Sequence, residues 1–154
     1  MYDLIQGNLT RQFKALELLK SLLEEEFGFL VERDTDSVSN LEFSIHELLR
    51  QIVVERVELK NTMQETKLLE YADMLPEDEG ADVRKMFHLI DALEQHCSKQ
   101  AARNAELSLA LLDQSQALLV FLHEQISPRQ ENTYSARGRY REERPSAALI
   151  TGRL

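Results

Sequence analysis

The chain has 154 residues and a net charge of −9 at pH 7, with only five Gly and three Pro. Strands bounded by tight turns need Gly and Pro, so the composition argues against an all-β fold, and the length fits one soluble domain. The acidic balance also argues against general nucleic-acid binding, which depends on clustered cations.

The first predicted helix ends near Arg33. Its apolar residues recur at steps of three, four or seven, which places them on one helix face: Leu9, Phe13, Leu16, Leu23, Phe27 and Leu30. The residues that follow, Asp34-Thr35-Asp36-Ser37, are turn formers and supply an N-cap for a second helix.

The second predicted helix carries a heptad-like apolar stripe. The stripe skips one position at Glu55 and contains Val38, Leu41, Ile45, Leu48, Ile52, Leu59 and Met63. We expect Leu48 and Ile52 to be buried against a third helix, near Leu93 or Leu107.

A predicted hairpin at 76–80 contains a Pro, a Gly and three acids, so the second helix should end at about Met74. The third helix should begin near Ala81 or Asp82 and run to about Ile126. Its stripe consists of Val83, Phe87, Ile90, Leu93, Cys97, Leu107, Leu111, Leu118 and Phe121. The pattern predicts an all-α fold: an elongated antiparallel bundle of three long helices, coiled-coil-like with a left-handed twist, and a flexible C-terminal tail.

Polar residues interrupt the stripe of the third helix between Ser98 and Asn104. One interpretation is that a buried Gln or Asn fixes the register of the helices, as single polar core residues do in coiled coils. The interpretation that we favour is that the partner helix has ended and that this segment is exposed.

The composition changes after residue 126, which divides a helical body (1–126) from a basic-aromatic tail (127–154). The tail contains six Arg and three Glu, so its charge is opposite to that of the body. It is too polar to bury enough apolar surface alone, and we expect it to be flexible and to fold on a partner. A trailing segment that contacts nothing is the alternative. The candidate binding residues are Tyr134, Arg137, Gly138, Tyr140, Leu149 and Ile150.

The sequence contains no pattern typical of a catalytic or metal site. None of His46, His88, His96 and His123 follows a Glu by three positions, so the Glu-x-x-His pattern of di-iron bundles is absent. Cys97 stands alone on the apolar stripe, which favours a small buried thiol. We therefore expect a protein that is not an enzyme and that needs no metal or other cofactor.

The sequence also carries no sign of secretion or membrane insertion. Residues 1–5 lack the basic and apolar segments of a signal peptide, and no run of apolar residues approaches a length of about 18. A single Cys favours a reducing compartment. We expect a cytoplasmic protein.

Three segments resemble the FlgN family of flagellar type III export chaperones. Near the end of the first helix, Glu26, Leu30 and Arg33-Asp34 resemble the acidic-Leu-x-x-x-Asp segment of that family. In the third helix, residues 114–118 resemble the Asn/Gln-rich stretch before its last leucines. Residues 134–138 resemble its tail motif Tyr-Gly-x-x-Gly, with Ser in the first Gly position.

The resemblance implies a substrate-specific cytosolic chaperone in flagellum biogenesis. Such a chaperone binds hook-filament junction subunits (the hook-associated proteins), prevents their premature assembly and delivers them to components of the export gate. It implies no nucleic-acid partner, and a monomer or homodimer. The tail residues Tyr134, Arg137, Gly138, Tyr140, Leu149 and Ile150 are then the expected client-binding residues.

A structural protein that self-associates through its long helices is the alternative from a different class. Apolar residues beside the main stripe of the second helix, such as Leu49, Val53 and Val57, favour it if they are uncovered. A helical-bundle sensor or metal-binding enzyme is a third class, and the missing ligand pattern argues against it.

Overall fold

The computed structural model describes residues 1–64 and 66–126, and these form four helices with no strand. The helices are α1 (Tyr2–Glu32), α2 (Thr35–Met63), α3 (Leu68–Met74) and α4 (Glu77–Ile126). The all-α prediction is confirmed. The structure has four helices where the sequence predicts three long ones, because the second predicted helix is divided into α2 and the short α3. The predicted three-helix bundle stays a prediction.

The turn between α1 and α2 lies where the sequence predicts it. Arg33 adopts a left-handed conformation (φ 60°), and the Asp34 amide donates to the carbonyl oxygen of Phe29, as at the end of many helices. Asp34 is the N-cap of α2, and its Oδ1 accepts a hydrogen bond from the Ser37 amide at 3.1 Å. The side-chain hydrogen bond with Ser37 also lowers the pKa of the Asp34 carboxyl.

The connection between α2 and α4 differs from the predicted hairpin. The second helix ends at Met63 rather than at about Met74, and Gln64 has a positive φ of 56°. Residues 77–80, predicted as a turn, form the first turn of α4. The three acids there are favourable because carboxylates stabilise the positive N-terminus of a helix, and the preceding Pro costs no hydrogen bond at a helix start.

The core is formed by the predicted stripes over most of their length. Its buried members include Leu9, Leu16, Leu23, Ile45, Leu48, Ile52, Val83, Ile90 and Cys97. The predicted burial of Leu48 and Ile52 is confirmed, and Leu93 packs against the same core. The stripe of the third predicted helix is wrong at its end, since Leu118 and Phe121 are 57% and 54% exposed.

Contacts between the helices define their directions. Three hydrogen bonds between α4 and α1 or its C-cap Arg33 join Leu16 to Cys97, Leu23 to Asn104 and Arg33 to Gln114, each pair 81 positions apart. Because the partner in α4 advances in step with the residue of α1, the two helices run parallel. Since α2 follows α1 through a tight turn and its Glu55 bonds to Asn8, those two helices are antiparallel. The predicted left-handed twist stays a prediction.

The chain divides into two compact units, Met1–Gln114 and Ser115–Leu154. The first contains α1, α2, α3 and most of α4. The described part of the second is the last section of α4, residues 115–126. The predicted boundary between body and tail at 126/127 stays a prediction, and the tail lies outside the described residues.

Two glycines give a matched test of helix packing. A Cβ on Gly80 would overlap the carbonyl oxygen of Ala72, where α3 and α4 meet, whereas a Cβ on Gly28 would meet nothing within 4 Å. We expect Gly80→Ala to lower the free energy of unfolding by about 2 kcal/mol, and Gly28→Ala to raise it by up to about 1 kcal/mol. Urea denaturation checks both, and equal effects of the two substitutions would contradict the close α3–α4 contact.

Candidate functional site

The sequence-predicted binding residues are outside the part of the chain that the structure describes. They are Tyr134, Arg137, Gly138, Tyr140, Leu149 and Ile150, all beyond Ile126. Their role stays a prediction. The described residues offer polar contacts within Met1–Gln114 and an apolar surface at the end of α4.

The polar middle of α4 is buried at one residue only. Asn104 is 3% exposed, and its amide donates to the carbonyl oxygen of Leu23 at 2.8 Å and to the Glu26 carboxylate at 2.6 Å. Gln100 donates to the Asn104 side-chain oxygen at 2.9 Å. The register-fixing interpretation is therefore right for Asn104. Ser98 and most of the residues up to Arg103 are exposed, as the favoured interpretation expects. Its other part, that the partner helix has ended, is wrong, because α1 still contacts α4 at Asn104.

An equivalent cluster, not predicted from the sequence, joins α1 to α2. Asn8 donates to the backbone oxygen of Glu55 at 2.8 Å and to its carboxylate at 2.7 Å, while Gln12 donates to Asn8 at 2.6 Å. Arg11 forms an ion pair with Glu55, with its Nε 2.7 Å from Oε1. This hydrogen bond raises the pKa of the Arg11 guanidinium above its ordinary value. In the sequence, the one sign of this cluster is Glu55, a charged residue at a position where the α2 stripe predicts an apolar side chain.

In both clusters an Asn donates to a backbone carbonyl oxygen and to a Glu carboxylate on another helix. A Gln four positions from that Asn, on the same helix, donates to its side-chain oxygen. All their buried side-chain polar atoms have hydrogen-bond partners. They fix the register of α1 against α2 and α4, because a shifted helix would leave buried polar groups unpaired.

The Asn104 cluster gives a second stability prediction. Asn104→Asp removes the donor and places a second carboxylate beside Glu26, so we expect a loss of about 2–3 kcal/mol at neutral pH. The loss should shrink towards about pH 4, where the introduced carboxyl takes up a proton. The control is Asn40→Asp, at an exposed position of α2. Denaturation at both pH values checks this; a pH-independent loss would contradict carboxylate repulsion as its cause.

Cys97 lies in the core, as predicted. It is 5% exposed, and its thiol donates to the carbonyl oxygen of Leu16 at 3.7 Å. Desolvation by burial raises the pKa of this thiol, which keeps it protonated and poorly nucleophilic. Over residues 1–64 and 66–126, no group of three or more His, Cys, Asp or Glu side chains is placed to hold a metal ion.

The last section of α4, residues 115–126, is exposed throughout. We call it the apolar end of α4, because its large apolar residues are Leu118, Leu119, Val120, Phe121, Leu122 and Ile126, exposed by between 43% and 75%. Five of them are consecutive and therefore cover the whole circumference of the helix. A helix that is apolar on every side is normally covered by other protein or by lipid.

The exposed apolar stretch of α4 is also long enough to span a membrane. By length and composition α4 is the one described helix apolar enough to cross a membrane, and the apolar stretch that qualifies contains no buried residue. The buried residues of α4 end at Asn104, so this stretch lies beyond that residue. A single helix of this kind is weak support for a membrane span. The exposed apolar stretch shows instead that α4 has a large apolar surface that no described residue covers.

A family model described as FlgN protein matches residues 1–142. The chain belongs to the FlgN family. The match covers the whole described structure and extends over Tyr134, Arg137, Gly138 and Tyr140, whereas Leu149 and Ile150 lie beyond it. No curated protein and no solved structure matches the chain.

Membership of the FlgN family indicates a flagellar export chaperone. The structure agrees with a protein of this class in being a helical bundle with a large uncovered apolar segment.

Proposed function

We propose that the protein is a cytosolic chaperone of flagellar type III export that binds hook-filament junction subunits. It prevents them from assembling early and delivers them to the export gate, without hydrolysing a substrate itself. The observation that carries the proposal is the apolar end of α4, together with the family membership. Unassembled subunits expose apolar segments that would otherwise contact water or each other. The exposed apolar surface of α4 can bind such segments.

In this proposal the apolar end of α4 and the tail act together on the client. Leu118, Phe121 and Ile126 are exposed aliphatic and aromatic side chains of the kind that dominate interface energies. The arginines of residues 127–154 supply electrostatic steering, which mostly changes the association rate. Tyr134 and Tyr140 are the aromatic anchors that we assign to the tail.

The test is titration calorimetry of the protein against purified hook-filament junction subunits. We expect Phe121→Asp to weaken binding by about tenfold or more, because a charge replaces an apolar anchor. The matched control is Phe43→Asp, at an equally helical Phe of α2 that is 78% exposed. Equal effects of the two substitutions, or no effect of Phe121→Asp, would contradict capture by the apolar end of α4.

Self-association through the long helices is the second candidate function. It is favoured by Leu49, Val53 and Val57 on α2, which are 42%, 58% and 52% exposed. Size exclusion with light scattering separates the candidates: a discrete monomer or dimer fits a chaperone, and polymers whose mass grows with concentration fit a scaffold.

A further inference from the structure

A groove of about 760 Å³ lies between α1, α2 and α4, within the unit Met1–Gln114. Its floor is formed by α1 residues that include Leu16, Leu19, Leu23 and Leu30. Since none of its lining residues belongs to 115–126, it is a different surface from the apolar end of α4.

Over most of its length, the groove has small side chains on α4 facing larger ones on α2. The α4 wall includes Ser98, Ala101, Ala105 and Ser108, which recur at steps of three and four and therefore share one helix face; Glu94 and Leu109 of α4 also line the groove. The facing residues of α2 include Leu49 and Val53, which stay 42% and 58% exposed. Small residues on one wall leave space that the other wall does not fill.

The dimensions of the groove fit a helix. Its floor extends along α1 from Leu16 to Leu30, a length of about 21 Å at the helical rise of about 1.5 Å per residue. A helix of about 14 residues has the same length. The floor and the two walls come from three helices, so a bound helix would complete a four-helix arrangement with an apolar core.

The charges that line the groove are mostly negative. Three carboxylates, of Glu26, Glu42 and Glu94, line it, against the single guanidinium of Arg56. Glu94 pairs with Arg56, and Glu26 accepts from Asn104. Glu42 is exposed, and its carboxylate makes no hydrogen bond or ion pair with any residue that the structure describes. The groove therefore favours an occupant that carries positive charge beside its apolar face.

We propose that this groove binds an amphipathic helix of a partner protein, with an apolar stripe flanked by Lys or Arg. The helix lies along α1, places its stripe against the leucines of the floor, and places a cationic side chain beside Glu42. This binding mode is that of a helix in a groove, in which residues three and four positions apart act as anchors. The inference does not require the partner to be an export client.

A steric test compares two adjacent alanines of α4. Ala101 lines the groove and Ala102 does not, and both are exposed, so Trp at either position should be accommodated. The probe is a fluorescein-labelled model helix with a Leu stripe and flanking Lys, followed by fluorescence anisotropy. We expect Ala101→Trp to weaken binding by about tenfold or more and Ala102→Trp to change it less than about twofold. Equal effects would overturn the proposal, and circular dichroism checks folding.

A charge test uses the same peptide and a second one with Glu in place of Lys. We expect the unaltered protein to prefer the Lys peptide, and Glu42→Lys to reduce that preference by about fivefold or more. The control Glu106→Lys adds the same charge at an exposed α4 position that does not line the groove, and should reduce it less. Equal reduction by both substitutions would overturn the proposal.

A second copy of this chain is the competing occupant. If Ala101→Trp, unlike Ala102→Trp, changes the mass measured by sedimentation, the groove is an interface between copies and the partner-helix proposal is wrong. The peptide assays contain no flagellar subunit, so their failure leaves the calorimetric test of client binding unaffected.

Discussion

Replacing Ile52 with Asp is expected to destabilise the helical body by about 4 kcal/mol or more, because an unpaired carboxylate in an apolar core is costly. Ile52 is 4% exposed and belongs to the core cluster that also contains Leu16, Leu48 and Ile90. No buried cation is available in that cluster to pair with the new charge. For a protein of this size the loss corresponds to a fall in the melting temperature of about 10–20 °C.

The matched control for this substitution is Val54→Asp. Val54 lies two positions away on the same helix but is 46% exposed, so the same carboxylate there stays hydrated and should cost less than about 1 kcal/mol. Thermal unfolding followed by circular dichroism measures both. An unchanged melting temperature for Ile52→Asp would mean that the buried face of α2 is assigned wrongly.

The parts of the fold that follow from local physics could be predicted from the sequence. The stripe that contains Leu9, Leu16 and Leu23 is buried, because a helix with one apolar face packs that face inward. The turn at Arg33 and the cap at Asp34 were also predictable, since a carboxylate at this position satisfies a free amide of the next helix.

The parts that depend on tertiary partners could not be predicted in the same way. Glu55 is buried because Asn8 and Arg11 of α1 reach it, and neither spacing nor composition shows that pairing. The heptad pattern continues to Phe121, yet only the structure shows that this residue is exposed. Periodicity defines which face of a helix is apolar, but not whether another helix covers it.

The groove could not be predicted from the sequence either. The step from Ser98 through Ala101 to Ala105 predicts a small-residue face, but such a face is equally compatible with a close helix–helix contact. Only the positions of α1 and α2 determine that the space is open. The exposed Leu49 and Val53 were noted from the sequence as support for self-association, and the structure adds that they line a groove.

Truncation of the chain at Ser127 is expected to leave the helical body folded and to abolish or greatly weaken binding of hook-filament junction subunits. The body should persist because the buried residues of the described part, 1–64 and 66–126, lie between Ile5 and Asn104. Binding should fall because the truncation removes the proposed anchors Tyr134, Tyr140, Leu149 and Ile150, and a few aromatic and aliphatic anchors supply most of the energy of an interface. Circular dichroism measures the first effect and titration calorimetry the second.

Single substitutions in the full chain separate anchors from steering charges. Tyr134→Ala should weaken binding measurably, whereas Arg153→Ala should change it little, because exposed charges mainly affect the association rate. Phe121→Asp in the truncated chain should then remove whatever binding the apolar end of α4 retains alone. If the truncated chain binds at full strength and Phe121→Asp abolishes that binding, client capture belongs to α4, and the tail contributes instead to docking at the export gate or to regulation.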